Sequence, residues 1–142
     1  MILAYSIDEN ARPWRAHPGD AGLDLRATSE GVLPPMAGAT FGTGFHIRIP
    51  QGYAGFVMPR SGLNMHKGVF PPTGVVDAGY TGEVLVKLYN LGAKPILINR
   101  GDRIAQLVIV PINTDELHYV DSPAELGDTE RGADGFGSTG KD

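Results

Sequence analysis

Short apolar segments alternate with glycine- and proline-rich turns along most of the chain. Residues 45–49 alternate apolar and polar side chains with a period of two, which is typical of a half-buried β-strand. Four further apolar segments predict strands at residues 53–58, 84–89, 96–98 and 105–110. Strands at this spacing, separated by turn sequences, predict an all-β sandwich or jelly roll.

One segment, residues 61–67, predicts a short helix. Ser61 is a candidate N-cap, and Gly68 is a candidate for the left-handed residue that ends a helix. Longer helices are disfavoured because 20 glycines and 11 prolines interrupt the 142 residues. The pattern therefore predicts a single all-β domain with one short helix.

The composition changes towards the C-terminus, where the last residues are polar and rich in glycine. Such a segment cannot bury enough surface to fold alone. We therefore expect residues 1–126 to form a folded β core and residues 127–142 to form a flexible arm. A disordered tail is the simpler interpretation of the composition, yet Arg131, Ser138 and Thr139 lie among glycines in a pattern that is able to bind phosphate.

Charge and composition exclude several classes of protein. The formal net charge of −4 disfavours a basic nucleic-acid binder, so we expect no direct nucleic-acid partner. No apolar segment approaches the roughly 18 residues of a membrane span, and we expect no membrane partner. Because the chain has no cysteine, it has no disulfide and no thiolate zinc site. The N-terminal sequence lacks the features of a signal peptide, so a cytoplasmic protein is expected.

Two segments carry polar residues of the kind that bind anions. Asp24 lies between two leucines, where a carboxylate either makes local hydrogen bonds or faces a polar site. Arg60, Ser61 and Gly62 open the predicted helix. A guanidinium, a hydroxyl and free N–H groups at a helix N-terminus form an anion site, although an ordinary helix cap explains the same residues.

Two more segments contain polar residues that fit either local structure or a binding site. Residues 74–84 have the outline of a β-hairpin with Asp77 at its tip. An aspartate there usually belongs to the turn, but with Tyr80 three residues later it also presents a base beside a flat apolar surface. Gln106 interrupts an otherwise apolar strand, and a buried amide needs polar partners or a ligand.

Taken together, five segments resemble, in order and spacing, the five motifs of the trimeric dUTPases, the dUTP nucleotidohydrolases. The segments are AGLDLRA (21–27), PRSGL (59–63), GVVDAGYTGE (74–83), GDRIAQL (101–107) and RGADGFGSTG (131–140). The resemblance covers nearly the whole chain and implies a distorted, β-clip-like jelly roll that forms a homotrimer. In that family the active sites lie at subunit interfaces, and the C-terminal arm of one subunit closes over a site built by the others.

The resemblance implies hydrolysis of dUTP to dUMP and pyrophosphate, which keeps uracil out of DNA and supplies dUMP for thymidylate synthesis. Asp77 is then the general base for the water that attacks the α-phosphorus, and it also binds the sugar 3′-OH. An aspartate is already ionised at neutral pH, so this role needs no unusual environment. Gln106 is expected near the α-phosphate and the water, and Tyr80 under the deoxyribose, where it leaves no room for a 2′-OH.

The same resemblance implies how the substrate is bound. Backbone groups of Gly74, Val75 and Val76, together with the strand near Leu85, are expected to read uracil, and Phe136 is expected to stack on the base. The residues expected around the phosphates are Arg60, Ser61, Gly62, Arg131, Gly137, Ser138 and Thr139.

Mg²⁺ is the implied cofactor. It is expected to bind chiefly through the three phosphates, with waters completing an octahedron, and Asp24 is expected to act through those waters. The metal, Arg60 and Arg131 would explain how a chain with a net charge of −4 binds a triphosphate.

Residues 64–67 differ from the usual helix sequence of the family, and three single positions also depart from its pattern. Pro71 stands where many members have Asn, Thr81 where Arg is frequent, and Asp134 where Gly is usual. Two other functions stay open: a dCTP deaminase-like enzyme of the same fold, which uses a Glu near the site and reads an amino group, and a non-enzymatic trimeric binding or regulatory module.

Overall fold

The fold is built almost entirely from antiparallel strands. The structure, a computed structural model, describes residues 1–136. The strands are β1 (Leu3–Ser6), β2 (Gly22–Arg26), β3 (Gly31–Leu33), β4 (Gly38–Arg48), β5 (Tyr53–Met58), β6 (Val69–Phe70), β7 (Gly74–Val76), β8 (Glu83–Asn90), β9 (Ile96–Ile98) and β10 (Arg103–Pro111). One α-helix, α1, spans Ser61–Lys67, and two 3-10 helices span Glu9–Ala11 and Pro123–Leu126.

The strands form two four-stranded sheets and one two-stranded ribbon. The first sheet has the order β1-β4-β8-β6, the second β2-β10-β5-β7, and the ribbon pairs β3 with β9. One apolar core is shared by both sheets and the ribbon; it includes Leu25, Leu33, Phe41, Val57, Val86, Leu88, Ile98 and Leu107. This architecture confirms the predicted all-β, distorted jelly-roll domain with one short helix.

The strands predicted from periodicity are present. Residues 53–58 and 96–98 match β5 and β9 in both bounds, and residues 84–89 and 105–110 lie inside β8 and β10. The strand predicted at residues 45–49 is only the end of β4, which begins at Gly38 and ends at Arg48, so Ile49 lies outside it. Glycines in the first half of β4 hide its alternation, so the sequence pattern missed that half.

The helix begins differently from the prediction. Arg60 is the N-cap of α1 and makes no side-chain capping hydrogen bond, so the prediction that Ser61 caps the helix is wrong. Ser61 is instead the first helical residue. Gly68 ends the helix in the left-handed conformation, with φ of 67°, as predicted. A Cβ at this position would also lie 3.0 Å from the Gly92 nitrogen.

A wide bulge interrupts the ladder between β4 and β8. Gly42 is opposite Leu85 and His46 is opposite Glu83, so three residues of β4 face a single residue of β8. Side chains replace the missing ladder bonds: the Thr43 hydroxyl donates to the Val84 carbonyl at 2.6 Å, and the Gly44 N–H donates to Glu83 Oε1 at 2.7 Å. Bulges bend a strand and redirect its neighbours, often beside functional sites.

The chain leaves the sheets after β10. The Ile112 N–H still donates to the Gly52 carbonyl at 2.9 Å. Residues 112–134 are all exposed, with Leu117 and Tyr119 78% and 84% exposed. The exposed segment therefore begins well before residue 126, and the proposed boundary of the arm there stays a prediction. Within residues 1–136, no helix is both long and apolar enough to cross a membrane.

Candidate active site

Most of the predicted site residues of one chain line one of two clefts. The first, the polar cleft, has a volume of about 300 Å³ and is lined by Ala16, Asp20, Ala21, Gly22, Asp24, Arg60, Ser61, Arg103 and Gln106. The second, the turn pocket, has a volume of about 260 Å³ and is lined by Val57, Gly74, Val75, Val76, Asp77, Tyr80, Glu83, Val84 and Leu85. The two clefts share no lining residue.

Asp24 organises the charges of the polar cleft. Its Oδ1 accepts a hydrogen bond from Arg60 Nε at 2.9 Å, and its Oδ2 accepts one from an Arg103 terminal nitrogen at 3.4 Å. The Asp24 side chain is only 14% exposed, and these two cations offset the cost of burying its charge. Asp24 therefore faces a polar site and fixes two guanidinium groups, which keep further N–H donors for an anion.

Arg103 is a member of the cleft that the sequence reasoning missed. It lies three residues before Gln106, and a regular strand would place the two side chains on opposite faces. The ladder between β10 and β2 is irregular between Arg103 and Ala105, however, and this irregularity brings both side chains to the polar cleft. Sequence periodicity alone gives no signal for such a shift.

Gln106 has the polar partner that its position predicted. Its Nε2 donates to the Pro59 carbonyl at 2.9 Å, so the amide ties β10 to the first residue of the PRSGL segment. Gly22, which pairs with Val108 on the neighbouring β2, makes room for this side chain: a Cβ there would overlap Gln106 Oε1 and lie 2.8 Å from its Cδ. Gly22 is therefore a second residue that the sequence reasoning missed.

The helix N-terminus contributes less than expected. Ser61 lines the polar cleft, but Gly62, one residue further along α1, does not. Both residues are exposed. Asp20 also lines the cleft, and its Oδ2 accepts a hydrogen bond from the His17 N–H at 2.8 Å.

The predicted hairpin of residues 74–84 is wrong in its pairing, and the turn pocket lies where its two strands separate. β7 pairs with β5 in one sheet, whereas β8 pairs with β4 in the other. The two strands around Asp77 therefore diverge instead of forming a common ladder. β6 covers only Tyr89 and Asn90 of β8, so among the described strands the second edge of β8 is unpaired at residues 83–87.

Backbone groups of β8 face into this pocket. The Val84 carbonyl points to β4, where Thr43 binds it. Successive residues of a strand direct their N–H and C=O groups to opposite sides, so those of Glu83 and Leu85 point away from β4 and towards the pocket. The Glu83 carbonyl accordingly accepts a hydrogen bond from the Tyr80 hydroxyl at 2.7 Å.

The turn itself holds Asp77 and Tyr80 at the pocket. The Tyr80 N–H donates to the Asp77 carbonyl at 3.1 Å and closes the turn. The Asp77 side chain is exposed beside the pocket. The Tyr80 ring lies against Gly82, where a Cβ would come within 2.6 Å of the ring Cζ. The ring is thus fixed at its hydroxyl and along one face.

The arm residues that the structure describes line neither cleft. Arg131 is exposed, and its Nε donates to the Asp134 carbonyl at 2.8 Å within a local turn. Phe136 is fully exposed. The predicted phosphate contacts Gly137, Ser138 and Thr139 lie outside the described residues.

Two departures from the family pattern have clear surroundings. Pro71 is buried in the loop before β7. Thr81 is exposed, and its carbonyl makes a hydrogen bond with the His46 ring at 3.0 Å.

Within residues 1–136, no three His, Asp or Glu side chains converge on a point that could hold a metal ion.

Comparison with known proteins identifies the family. The dUTPase family model matches residues 8–140. The deoxyuridine 5′-triphosphate nucleotidohydrolase of Corynebacterium glutamicum is 49% identical over 132 residues, which cover 91% of this chain and 87% of that protein. The chain therefore belongs to the dUTPase family, as its five motifs predicted.

Solved structures agree with this assignment. A mutant dUTPase of Staphylococcus bacteriophage 80alpha, with dUpNHpp, is 34% identical with a TM-score of 0.86, over 99% of this chain and 98% of that chain. A mutant dUTPase of S. aureus phage phi11, studied for the coordination of a structural Mg(II) ion, is 32% identical with a TM-score of 0.80, over 87% of this chain and 99% of that chain. The dCTP deaminase alternative gains no support from these matches.

Proposed function

We propose that this protein is a dUTP diphosphatase that hydrolyses dUTP to dUMP and pyrophosphate. Membership of the dUTPase family supports the reaction class. The observation that carries the proposal for this chain is the turn pocket, in which unpaired backbone groups of β8 face Asp77 and Tyr80. This arrangement suits a nucleoside whose base is read by main-chain hydrogen bonds.

Uracil fits the chemistry of the pocket. Its pairing edge carries one N–H donor between two carbonyl acceptors, and a strand residue offers one N–H and one C=O side by side. Leu85 on β8, with Gly74, Val75 and Val76 on β7, would supply these groups. Glu83 lines the same pocket, but its Oε1 already accepts the Gly44 N–H, which disfavours the role of the free Glu that a deaminase would need.

The sugar would lie against Tyr80. The ring is fixed by its hydroxyl and by Gly82, so it cannot move aside without losing a hydrogen bond. A ribose 2′-OH placed against this ring would be buried without a partner, at a cost of roughly 1–3 kcal/mol. Tyr80 would thereby select deoxyribose.

Asp77 would act as the general base. Its carboxylate takes a proton from a water molecule as the water oxygen forms a bond to the α-phosphorus. The bond from that phosphorus to the oxygen bridging the α- and β-phosphates breaks, and pyrophosphate leaves. Gln106 would orient the water and the α-phosphate, while Asp24 would act as the anchor of Arg60 and Arg103.

We infer that the reaction uses residues of two or more chains. Asp77 lines the turn pocket and Gln106 lines the polar cleft, and in one chain these clefts have no residue in common. Joining them across a subunit interface would build a whole site, in agreement with the homotrimer that the family resemblance implies. The fully exposed Phe136 and the exposed Arg131 fit an arm that closes over a site, Phe136 on the base and Arg131 on the γ-phosphate.

Mg²⁺ is the proposed cofactor, and the donor set fits a metal held mainly by the substrate. Mg²⁺ commonly binds substrate phosphates and waters with only one or two protein carboxylates. Both Asp24 oxygens already have arginine partners, so Asp24 would reach the ion through water. When bound, Mg²⁺ would neutralise phosphate charge that Arg60, Arg103, Ser61 and the arm only partly balance. The proposal also includes a cytoplasmic location, without membrane or nucleic-acid partners.

A pyrophosphate-release assay with dUTP, dTTP, dCTP and UTP, each with and without Mg²⁺, tests the proposal. We expect Mg²⁺-dependent release from dUTP alone at an appreciable rate. Deamination of dCTP, detected by analysis of the reaction products, would favour the deaminase, and no turnover of any nucleotide would favour a binding or regulatory module. Light scattering after gel filtration tests the trimer, because a stable monomer with full activity would contradict a shared site.

A further inference from the structure

His46 lies outside the five motifs but contacts Thr81, a residue of the GVVDAGYTGE segment. It lies on β4, just after the bulge and opposite Glu83. Its Nδ1 lies 3.0 Å from the Thr81 carbonyl oxygen. A carbonyl can only accept, so Nδ1 carries the proton and donates.

This hydrogen bond has a special position in the fold. Residues 78–82 connect Asp77 to β8, and the three central residues, 79–81, are exposed. Within residues 1–136, the bond from His46 is the one hydrogen bond that joins these turn residues to a strand distant in sequence. The others, from the Tyr80 N–H to Asp77 and from the Tyr80 hydroxyl to Glu83, stay inside the turn and its own strand.

The contact acts on the residue next to Tyr80. The hydrogen bond from His46 fixes the backbone of Thr81, which follows Tyr80 directly. The Tyr80 ring itself contacts Gly82, and its hydroxyl donates to the Glu83 carbonyl. Without the hydrogen bond from His46, the bond from the Tyr80 hydroxyl to the Glu83 carbonyl is the remaining hydrogen bond, among the described residues, between residues 78–82 and the sheet, so the turn is less firmly placed. The ring would then leave room beside the sugar while the strands of the β core stay in place.

We propose that His46 is a positioning residue that sets the place of Tyr80 and thereby the discrimination between deoxyribose and ribose nucleotides. The proposal rests on the proposed function, since it assigns to His46 an effect on the sugar preference of that reaction. His46 reaches the substrate only through Thr81 and Tyr80.

The test compares two substitutions at the same position. His46→Leu has no donor, whereas His46→Asn places an amide nitrogen close to where Nδ1 lies. The His46 ring also contacts the Tyr5 ring, with centroids 5.6 Å apart, so Tyr5→Leu serves as the control for lost ring packing. For each variant and the wild type, kcat and KM are measured with dUTP and with UTP, alongside the melting temperature.

The expected result is a change in the ratio of kcat/KM for dUTP to that for UTP. His46→Leu should lower this ratio about fivefold, which corresponds to one ordinary hydrogen bond, and His46→Asn should restore most of it. Tyr5→Leu should leave the ratio unchanged. An unchanged ratio in His46→Leu would overturn the proposal. This includes an equal loss of kcat/KM with both nucleotides, accompanied by a lower melting temperature. A wild-type enzyme that shows no preference for dUTP would instead overturn the proposed function, and this inference with it.

Discussion

Replacing Gly22 with alanine should disable the polar cleft by displacing the Gln106 side chain. The added Cβ would overlap Gln106 Oε1 and lie 2.8 Å from Cδ and 3.0 Å from the Gln106 Cβ. The amide is the flexible end of the side chain and can move away. When it moves, its 2.9 Å hydrogen bond to the Pro59 carbonyl is lost.

The size of the effect follows from these two consequences. The lost hydrogen bond is worth about 1 kcal/mol, and an unfavourable rotamer adds about 1 kcal/mol. A destabilisation of about 2 kcal/mol lowers the melting temperature of a domain of this size by roughly 4–8 °C. Because a small misplacement of a positioning group costs about 10²-fold in rate, kcat should fall by that order if Gln106 orients the attacking water.

A double-mutant cycle tests the mechanism directly. Gln106→Ala removes both the overlapped oxygen and its carbon, so Gly22→Ala should be better tolerated in that background. We expect a coupling free energy of about 1–2 kcal/mol between the two positions, measured by denaturant unfolding at matched protein concentration. The kcat of the double variant should be close to that of Gln106→Ala.

Gly62→Ala is the control for stability. No heavy atom lies within 4 Å of the Cβ position at Gly62, so this substitution should not lower the free energy of unfolding. If the losses from Gly22→Ala and Gln106→Ala simply add, or if Gly22→Ala keeps the wild-type kcat, then Gly22 does not act through Gln106 and the reasoning fails.

Four further predictions concern the turn and the arm. Asp77→Asn should lower kcat by at least ~10²-fold, as loss of a general base does, with dUTP binding nearly unchanged. Pyrophosphate release measures kcat and a binding titration measures affinity; retention of half the activity would contradict the role of Asp77 as general base. Tyr80→Ala should raise kcat/KM for UTP relative to dUTP, and an unchanged ratio would place sugar discrimination elsewhere. Truncation after Leu126 should leave the circular dichroism spectrum of the β core unchanged and strongly lower kcat, whereas full activity without the arm would return it to a disordered tail. In the full chain, Phe136→Trp should keep activity and report arm closure by its fluorescence on nucleotide binding.

The sequence predicted those parts of the fold that depend on local patterns. β5 and β9 are short apolar segments bounded by turn residues, and their bounds follow from that contrast. β1, β3 and β6 have only two to four residues each, which is too few for a period to emerge. Their pairing partners, distant in sequence, make them strands.

The same limit applies to the candidate site. Motif residues such as Asp24 and Gln106 were found because their residue types are unusual between apolar neighbours. Arg103 and Gly22 were missed because their roles depend on a strand irregularity and on the shape of a side chain on another strand. Such roles arise only when β2 and β10 are adjacent.

The wrong pairing of the predicted hairpin shows most clearly what local sequence leaves open. A turn from Asp77 to Tyr80 between apolar strands makes the same internal hydrogen bond whether or not its strands pair with each other. Here β7 pairs with β5, and β8 pairs with β4. Hydrogen bonds of Thr43, Gly44 and Glu83 replace the ladder bonds that are missing at the bulge between β4 and β8. Had β7 and β8 formed a ladder, their backbone groups would bind each other and none would face a ligand. The recognition surface of the turn pocket thus depends on residues of β4, a strand outside every motif.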